Sequence, residues 1–202
     1  VVSAPYVPLG APERRAALLA AAVLGGGYSA RLNQEVRVKR GLSYGASGGG
    51  ESHPEGGLFL AQAQTQPATA VQVWQLMRSE LLRLADAPPP ADELAARQAT
   101  LVGGFARRLE TTGGLASLVA AQLSAGRPLA DLARTVDEIL AVTPAQVQAY
   151  AQKAWTANTL RGVIVVDAKA AGAALNDAPA PLVRLAMGEL DLESPTLRKS
   201  AG

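Results

Sequence analysis

The sequence predicts an α+β fold in which a mixed or antiparallel sheet is covered on one face by helices. Three observations support this class. Short β-branched or apolar segments stand at both ends of the region 1–167. Two alternating segments flank a turn near residue 54, as in a β-hairpin. Between residues 68 and 155, apolar side chains recur at spacings of three and four, which is typical of amphipathic helices.

The first 41 residues predict one strand and two helices. Val1 to Leu9 is β-branched and interrupted by proline, which favours an edge strand. Pro12 suits the first turn of a helix that the glycines at 25–27 would end. Ser29 is expected to cap a second helix, and Gly41 is expected to stop it.

A hairpin is predicted next. Its strands are expected within Leu42 to Ser52 and Gly57 to Gln66, joined by the turn from His53 to Gly56. The first strand is rich in glycine. Glycine weakens a strand and marks a place where another backbone approaches closely.

Five helices are expected between Ala68 and Trp155. Pro128 would start the fourth, and Thr143-Pro144-Ala145-Gln146 forms a capping box for the fifth, with Val142 and Val147 at the staple positions. The first three carry apolar stripes that we interpret as core positions: Val71, Trp74, Met77, Leu81 and Leu84; Leu94, Leu101, Phe105 and Leu109; Leu115, Leu118, Val119 and Leu123.

A last strand is predicted from Thr159 to Asp167. The continuous apolar run from Gly162 to Val166 favours burial on both faces. We expect a single α+β domain over residues 1–170 and a loosely packed, Ala/Pro-rich tail over residues 171–202.

The composition excludes most catalytic centres. The chain of 202 residues has no cysteine and one histidine, His53, whereas a catalytic zinc site needs three protein ligands. Ser-His-Asp and Cys-His hydrolysis would also depend on His53, which we interpret as a surface residue of a turn. No catalytic residue and no metal site are therefore expected in this chain alone.

Acidic pairs and glycine-rich loops are assigned no chemistry. Asp92-Glu93 and Asp137-Glu138 are expected in first turns of helices or on exposed helical faces, where acids are favourable. The glycines at 25–27 are not followed by the Gly-Lys-Ser/Thr of a phosphate-binding loop.

Charge and hydropathy exclude two classes of interaction, with nucleic acid and across a membrane. The net charge is only +2 and no dense basic tract occurs, so nucleic acid is not an expected partner. Apolar runs are shorter than the roughly 20 residues that span a bilayer, so no membrane span is expected.

Arg37 and Tyr44 are the residues with the clearest functional pattern. Arg37 is expected on the last turns of a helix and Tyr44 early on the next strand, with a tight turn at Gly41 between them. Their side chains could then project toward one place, where forked guanidinium donors and a phenol hydroxyl would bind a peptide carbonyl and stabilise an oxyanion. The same pattern also fits an arginine that compensates the helix dipole and a tyrosine that packs on the sheet.

The segment around these two residues resembles the C-terminal, non-catalytic half of the pitrilysin/insulinase family of zinc peptidases, which includes the mitochondrial processing peptidases. The resemblance rests on Gly26-Gly27-Tyr28-Ser29-Ala30-Arg31-Leu32, on Val36-Arg37, and on Gly41-Leu42-Ser43-Tyr44. Val136 to Ile139 with Val142 to Val147 resembles the helix pair before the last strand of that family, and Leu185 to Leu197 resembles the tails of its bacterial small-subunit branch.

The resemblance implies a partner. In this family two halves of one LuxS/processing-peptidase-like α+β fold enclose a chamber, and the other half or subunit carries zinc on an H-x-x-E-H motif. Arg37 and Tyr44 match the positions that hold peptide substrate near that metal. This chain lacks H-x-x-E-H, so zinc is expected only in the partner half. Arg31 matches an arginine with an expected structural role, anchoring its turn to neighbouring carbonyls or carboxylates.

Two functions therefore remain open. The chain is either the substrate-binding half of a zinc peptidase or a non-enzymatic scaffold or protein-interaction subunit of the same fold. The presence of both Arg37 and Tyr44 favours the first. An independent hydrolase built on carboxylates and His53 is disfavoured.

Overall fold

The computed structural model of the protein describes residues 1–179 and 181–199 and confirms the α+β class. One antiparallel sheet has the strand order β2-β3-β1-β4. Its strands are β1 (Val2–Tyr6), β2 (Ala46–Ser52), β3 (Gly57–Ala63) and β4 (Arg161–Gly162). The predicted hairpin is β2 and β3, closed by a hydrogen bond from His53 N to Gly56 O of 2.7 Å.

The first strand lies inside the sheet, so the prediction of an edge strand is wrong. β1 pairs with β3 along its whole length and with β4 at Val2 and Ser3. Pro5 is tolerated because β4 is too short to reach it, so no ladder hydrogen bond is lost. The carbonyl of Pro5 instead accepts a hydrogen bond of 3.0 Å from the indole nitrogen of Trp155.

The helices follow the predicted order. They are α1 (Arg14–Gly25), α2 (Arg31–Asn33, continued by a π-turn over Gln34–Val38), α3 (Ala70–Asp86), α4 (Ala91–Leu109), α5 (Thr112–Ser124), α6 (Thr135–Leu140), α7 (Pro144–Ala154) and α8 (Ala168–Ala171). Short 3₁₀ turns occupy Pro67–Thr69, Leu129–Arg134, Gly172–Asp177 and Met187–Glu189. Pro12 lies two residues before α1 and not in its first turn. No helix in the described ranges is both long and apolar enough to cross a membrane.

The core lies between one face of the sheet and the helices. Phe59 and Ala61 of β3 point into it and are fully buried, whereas Leu58 and Leu60 on the opposite face are exposed. Trp155, at the end of α7, is fully buried and packs on the ring of Phe59, with centroids 4.9 Å apart. This one-sided burial explains the alternation along the strand.

The close backbone approach predicted from the strand glycines occurs between α1 and β2. A β-carbon at Gly25 would lie 2.1 Å from the backbone nitrogen of Gly48. A β-carbon at Gly48 would lie 2.8 Å from the ring of Phe59. Glycine at both positions lets the end of α1 lie directly on the sheet.

The helical region confirms the predicted capping box, but two of the predicted apolar stripes contain residues that are not in the core. Thr143 Oγ1 accepts from Gln146 N, and Gln146 Oε1 accepts from Thr143 N. The core interpretation is wrong for Leu109, Leu115 and Leu123, which are exposed. α5 packs mainly on α4 and on the turn 129–134, away from the sheet, so Leu118 is buried while Leu115 and Leu123 stay uncovered.

The last strand is much shorter than predicted, and its burial on both faces is wrong. β4 comprises only Arg161–Gly162, and Val163 and Val165 are exposed, Val165 by 95%. The antiparallel register places Val163 opposite Val1, with a hydrogen bond of 3.0 Å between Val163 N and Val1 O. Residues 164–166 therefore lie beyond the end of the β1 ladder.

The segment after residue 170 has few regular elements. Ala171 is buried, and Gln75 Nε2 of α3 donates to Asp177 O at 2.9 Å. An isolated antiparallel bridge joins Leu190 to Arg198. The domain limit at residue 170 stays a prediction. The last residues of the predicted tail, 200–202, lie outside the described ranges.

Candidate functional site

Residues 25–45 form a compact helix-and-turn segment beside the edge of the sheet. α2 passes directly into the π-turn, where Lys39 N donates to Gln34 O at 2.9 Å across five residues. Gly41 ends it with a positive φ of 63°, as predicted. The hydrogen bonds from Gly41 N to Arg37 O and from Leu42 N to Val36 O, each 2.9 Å, span four and six residues and close this end of the segment.

Ser29 does not cap α2, contrary to the prediction. Ala30 occupies the N-cap position without a side-chain hydrogen bond. The backbone oxygen and the hydroxyl of Ser29 instead accept hydrogen bonds of 2.8 and 2.9 Å from Arg97 of α4. Arg97 is buried, and this contact fixes the entry into α2 against α4.

Arg31 has the anchoring role that the resemblance implies. Its Nε and one terminal nitrogen form a forked contact with the Glu93 carboxylate, with distances of 2.9 and 2.6 Å to its two oxygens. Both side chains are mostly shielded from solvent, so the pair is stronger than an exposed one. Glu93 lies in the first turn of α4, as predicted for this acidic pair.

Asn33 joins three parts of the segment. Its Nδ2 donates to the carbonyl of Tyr28 at 2.7 Å, and its Oδ1 accepts from Ala46 N at 3.3 Å. The side chain is buried. One amide therefore sets the turn after α1, the helix and the start of β2 in a fixed relation.

Glu35 neutralises the basic end of the segment. It is buried and forms ion pairs with Lys39 and Arg40. Although burial acts to raise it, the hydrogen bonds from Lys39 and Arg40 lower the pKa of Glu35 below its ordinary value. The carboxylate thus stays ionised and engages both neighbouring cations.

Arg37 is the basic residue of this segment that has no carboxylate partner in the described ranges. Arg31, Lys39 and Arg40 are each paired with Glu93 or Glu35. The Arg37 side chain is exposed, and its guanidinium carbon lies 5.2 Å from the ring centroid of Tyr28. This is within the range of a cation–π contact, so the charge is held in place but remains available to a ligand.

Tyr44 is also exposed, with 97% of its surface accessible. It lies in the bend two residues before β2 and not on the strand itself, which corrects the predicted position. Ser43 fixes this bend, because its hydroxyl donates to Gln64 O at 2.5 Å and accepts from Gly45 N at 3.1 Å. Within the described residues, Arg37 contacts Tyr28 and makes no hydrogen bond to Tyr44.

The sequence pattern left Tyr28 and Asn33 unassigned. Tyr28 lies inside the quoted motif, and its ring is 65% exposed. Its carbonyl accepts from Asn33 Nδ2 at 2.7 Å and from Gln34 Nε2 at 3.2 Å. For Tyr28, the available signal was an aromatic residue three positions before a helix that carries an arginine.

A cavity lies elsewhere, between α1, α6 and α7. It has a volume of about 590 Å³ and is lined by charged groups that pair with one another. Arg14 and Arg15 both bind Glu138, at 2.6 and 2.9 Å, and Lys153 binds Glu13 at 2.7 Å. These pairs tie the helices together, so we assign the groove no chemistry.

Metal ligands are not grouped in the part of the chain that the structure describes. It contains no cluster of three or more His, Cys, Asp or Glu side chains that could hold an ion. His53 lies exposed in the hairpin turn.

Comparison with known proteins identifies a family. Residues 1–101 match the family model of the peptidase M16 inactive domain. Over 159 residues the chain is 35% identical to an uncharacterized zinc protease of Streptomyces coelicolor. That alignment covers 73% of this chain and 34% of the relative, so the chain spans about a third of the relative's length.

Solved structures of low sequence identity share the fold. A peptidase M16 inactive domain from Pseudomonas fluorescens has a TM-score of 0.71 at 24% identity, covering 79% of this chain and 38% of that one. The inactive peptidase domain of a zinc protease candidate from Bordetella parapertussis has a TM-score of 0.69 at 20% identity, covering 79% of this chain and 88% of that one. At these identities the similarity concerns the fold alone.

Proposed function

The chain belongs to the M16 peptidase family, as an inactive, non-catalytic domain of zinc-protease-like proteins, and on this premise we propose that it binds peptide substrate for a zinc site carried by another half. In this proposal the other half supplies the H-x-x-E-H motif and the zinc ion. Arg37 and Tyr44 hold the peptide near that metal.

The charge distribution of residues 31–40 carries this proposal. Of its four basic side chains, three are paired with carboxylates and only Arg37 is left without one among the described residues. An unpaired, oriented guanidinium presents forked donors to a carbonyl or a carboxylate. Tyr44 adds an exposed hydroxyl on the other side of the Gly41 turn.

The proposed chemistry of this chain is binding and orientation. Zinc in the other half would supply a bound water as the nucleophile and polarise the scissile carbonyl. Arg37 would hold the peptide backbone by charge-assisted hydrogen bonds, and the Tyr44 hydroxyl would donate to the oxygen on which negative charge develops.

The first test is complementation. We expect the chain alone to bind no zinc and cleave no peptide, and the same chain mixed with an H-x-x-E-H half to cleave unfolded β-casein. Peptide cleavage by the purified chain alone would contradict the proposal. If the purified chain cleaves peptide, its zinc content, measured by atomic absorption, distinguishes a zinc site in the chain from a contaminating peptidase.

The second test concerns the two side chains. In the paired assembly, Tyr44→Phe should lower kcat by about 10²–10³, as for loss of an oxyanion donor, and Arg37→Ala should raise KM, as for loss of a peptide-binding contact. Neither change should lower the thermal midpoint. Lys39→Ala and Tyr28→Phe are matched controls that remove a neighbouring charge and a neighbouring hydroxyl. Unchanged kcat and KM in both site variants would refute the roles of Arg37 and Tyr44.

A scaffold function is the second candidate, and the exposed leucines of α4 and α5 favour it. Leu109, Leu115 and Leu123 offer an uncovered apolar surface of the kind that protein partners use. If a verified complex with the catalytic half gives no peptidase activity, the scaffold function is preferred.

A further inference from the structure

One buried amide connects the two sides of the candidate site. Asn33 is 4% exposed and lies at the end of α2, directly before the π-turn that carries Arg37. Its Nδ2 donates to Tyr28 O at 2.7 Å, and its Oδ1 accepts from Ala46 N at 3.3 Å. Tyr28 supports the Arg37 guanidinium, and Ala46 begins β2 two residues after Tyr44. The amide therefore reaches the surroundings of both proposed peptide-binding residues.

The two partners of Asn33 require an amide at this position. The Tyr28 carbonyl can only accept a hydrogen bond, and the Ala46 N–H can only donate one. A carboxamide supplies one group of each kind, so the partners also fix its orientation. An aspartate would keep the acceptor for Ala46 but would place a carboxylate oxygen against the carbonyl oxygen of Tyr28. A leucine of similar size would leave both backbone groups without a partner.

On the Tyr28 side, the amide fixes the turn that supports Arg37. The Tyr28 carbonyl also accepts from Gln34 Nε2 at 3.2 Å. That contact is exposed, so water can replace it, whereas the Asn33 side chain is buried. Loss of the Asn33 donor should therefore release the Tyr28 ring, and with it the Arg37 guanidinium that stacks on the ring.

On the Tyr44 side, the amide fixes the end of the bend before β2. Ser43 holds the start of the bend, because its hydroxyl donates to Gln64 O at 2.5 Å. Asn33 holds the end of the bend through the backbone nitrogen of Ala46. Tyr44 lies between these two fixed points, so the position of its hydroxyl depends on both of them.

We propose that Asn33 is a positioning residue that holds Arg37 and Tyr44 in a fixed relation, so that both act on one peptide. Its donor serves Arg37 through Tyr28, and its acceptor serves Tyr44 through Ala46. The inference rests on the proposed function and adds to it. It explains how a helical segment and the bend before a strand present two groups to the same substrate.

The two hydrogen bonds can be removed in steps, which gives a kinetic test in the paired assembly. Asn33→Asp loses the donor and keeps the acceptor, so KM should rise about two- to fivefold at unchanged kcat, as for loss of the Tyr28 support. Asn33→Leu loses both, so the same rise in KM should be joined by a fall in kcat of at least about tenfold. Unchanged KM in Asn33→Asp, or equal kcat in the two variants, would overturn the proposal.

Gln98 provides a matched control for the loss of a buried amide. It is also buried, and its Nε2 donates to the carbonyls of Ile139, Leu140 and Val142. These contacts join α4 to the end of α6 and include no residue of the segment 25–46. Gln98→Glu should lower the free energy of unfolding and leave KM and kcat of the folded assembly unchanged. A rise in KM as large as that of Asn33→Asp would show general destabilisation and overturn the proposal.

NMR of the chain alone tests the structural part of the proposal. The Ala46 amide should exchange equally slowly in the unchanged chain and in Asn33→Asp, and at least about fivefold faster in Asn33→Leu. The ring-current shift that Tyr28 imposes on the Arg37 side chain should be lost in both variants. Retention of this shift in Asn33→Asp, or equal Ala46 exchange in all three proteins, would overturn the proposal. If Asn33→Leu does not fold, the shift in Asn33→Asp decides.

This inference and the proposed function fail in different ways. If the NMR results are as expected but Arg37→Ala and Tyr44→Phe leave KM and kcat unchanged, peptide binding at this segment is rejected, and the positioning role with it. If Arg37→Ala and Tyr44→Phe have their expected effects but the Asn33 variants have none, the proposed function stands and Asn33 is rejected as its positioning residue.

Discussion

At the scale of single residues, the position of the Arg37 guanidinium depends on Tyr28. The ring lies 5.2 Å from the guanidinium carbon, and the Tyr28 backbone is itself held by the side chains of Asn33 and Gln34. The arginine therefore stacks on a fixed surface and keeps its hydrogen-bond donors free. Tyr28 is a positioning residue in this arrangement.

Replacement of Tyr28 tests this role. Tyr28→Leu should raise KM for peptide in the paired assembly by about two- to fivefold, because an exposed cation–π contact contributes about 0.5–1 kcal/mol. Tyr28→Phe keeps the ring and should leave KM unchanged. Equal KM values for the two variants would show that stacking does not position Arg37.

The Arg31–Glu93 pair should matter for stability. Arg31→Ala leaves a shielded carboxylate without its forked partner, and we expect the free energy of unfolding to fall by about 2–3 kcal/mol. Lys153→Ala removes an exposed pair with Glu13 and should cost less than about 1 kcal/mol. Urea denaturation measures both, and equal losses would contradict the difference in shielding.

At the scale of elements, the contact between α1 and β2 holds the candidate site against the sheet. Gly25→Ala would force a methyl group into the backbone of Gly48 and should lower the free energy of unfolding by at least about 2 kcal/mol. Gly49→Ala is the matched control, since a β-carbon there meets nothing within 4 Å. A Gly25→Ala variant as stable as Gly49→Ala would mean that the helix moves away without cost.

The elements predicted correctly are those specified by local sequence. The hairpin depends on its turn, and the start of α7 depends on Thr143 and Gln146, which are three residues apart. The burial of α5 and of residues 163–166 depends on neighbours that are distant in sequence. Apolar spacing alone therefore assigned too many residues to the core. The π-turn was not predictable, because the same side-chain pattern suits a regular helix.

In the candidate site, too, local features were predictable from the sequence and contacts between distant residues were not. Arg37, Tyr44 and the Gly41 stop lie within eight residues, and the sequence pattern identified all three. The hydrogen bonds of Asn33 to Tyr28 and Ala46, and of Arg97 to Ser29, join residues that meet only after folding. No local pattern identifies such partners.

At the scale of the whole molecule, apolar surface remains uncovered in separate places. The outer face of the sheet exposes Leu58 and Leu60, α5 exposes Leu123, and the chain after β4 exposes Val163 and Val165. Scattered apolar residues are normal on a protein surface. Val163 and Val165, however, directly follow the edge strand β4, where exposed apolar residues favour intermolecular pairing.

Val165 tests the consequence for self-association. Val165→Lys should change the free energy of unfolding by no more than about 0.5 kcal/mol, because the side chain is 95% exposed. It should reduce light scattering of concentrated solutions, since a charge blocks edge pairing. Met187→Lys adds the same charge at an exposed site in the 3₁₀ turn Met187–Glu189, outside the strands, and should leave scattering unchanged. Equal effects of the two variants would point to net charge alone.

The π-turn at Gln34–Val38 accommodates one additional residue in the helical segment that carries Arg37. A π-turn contains one residue more than the α-turn that it replaces, so the extra residue is taken up without moving buried Leu32 before it or the Gly41 stop after it. Deletion of one residue there would restore a regular helix and rotate the intervening side chains by up to about 100° around its axis. The direction in which Arg37 points is thus set by a count of residues as well as by their identity.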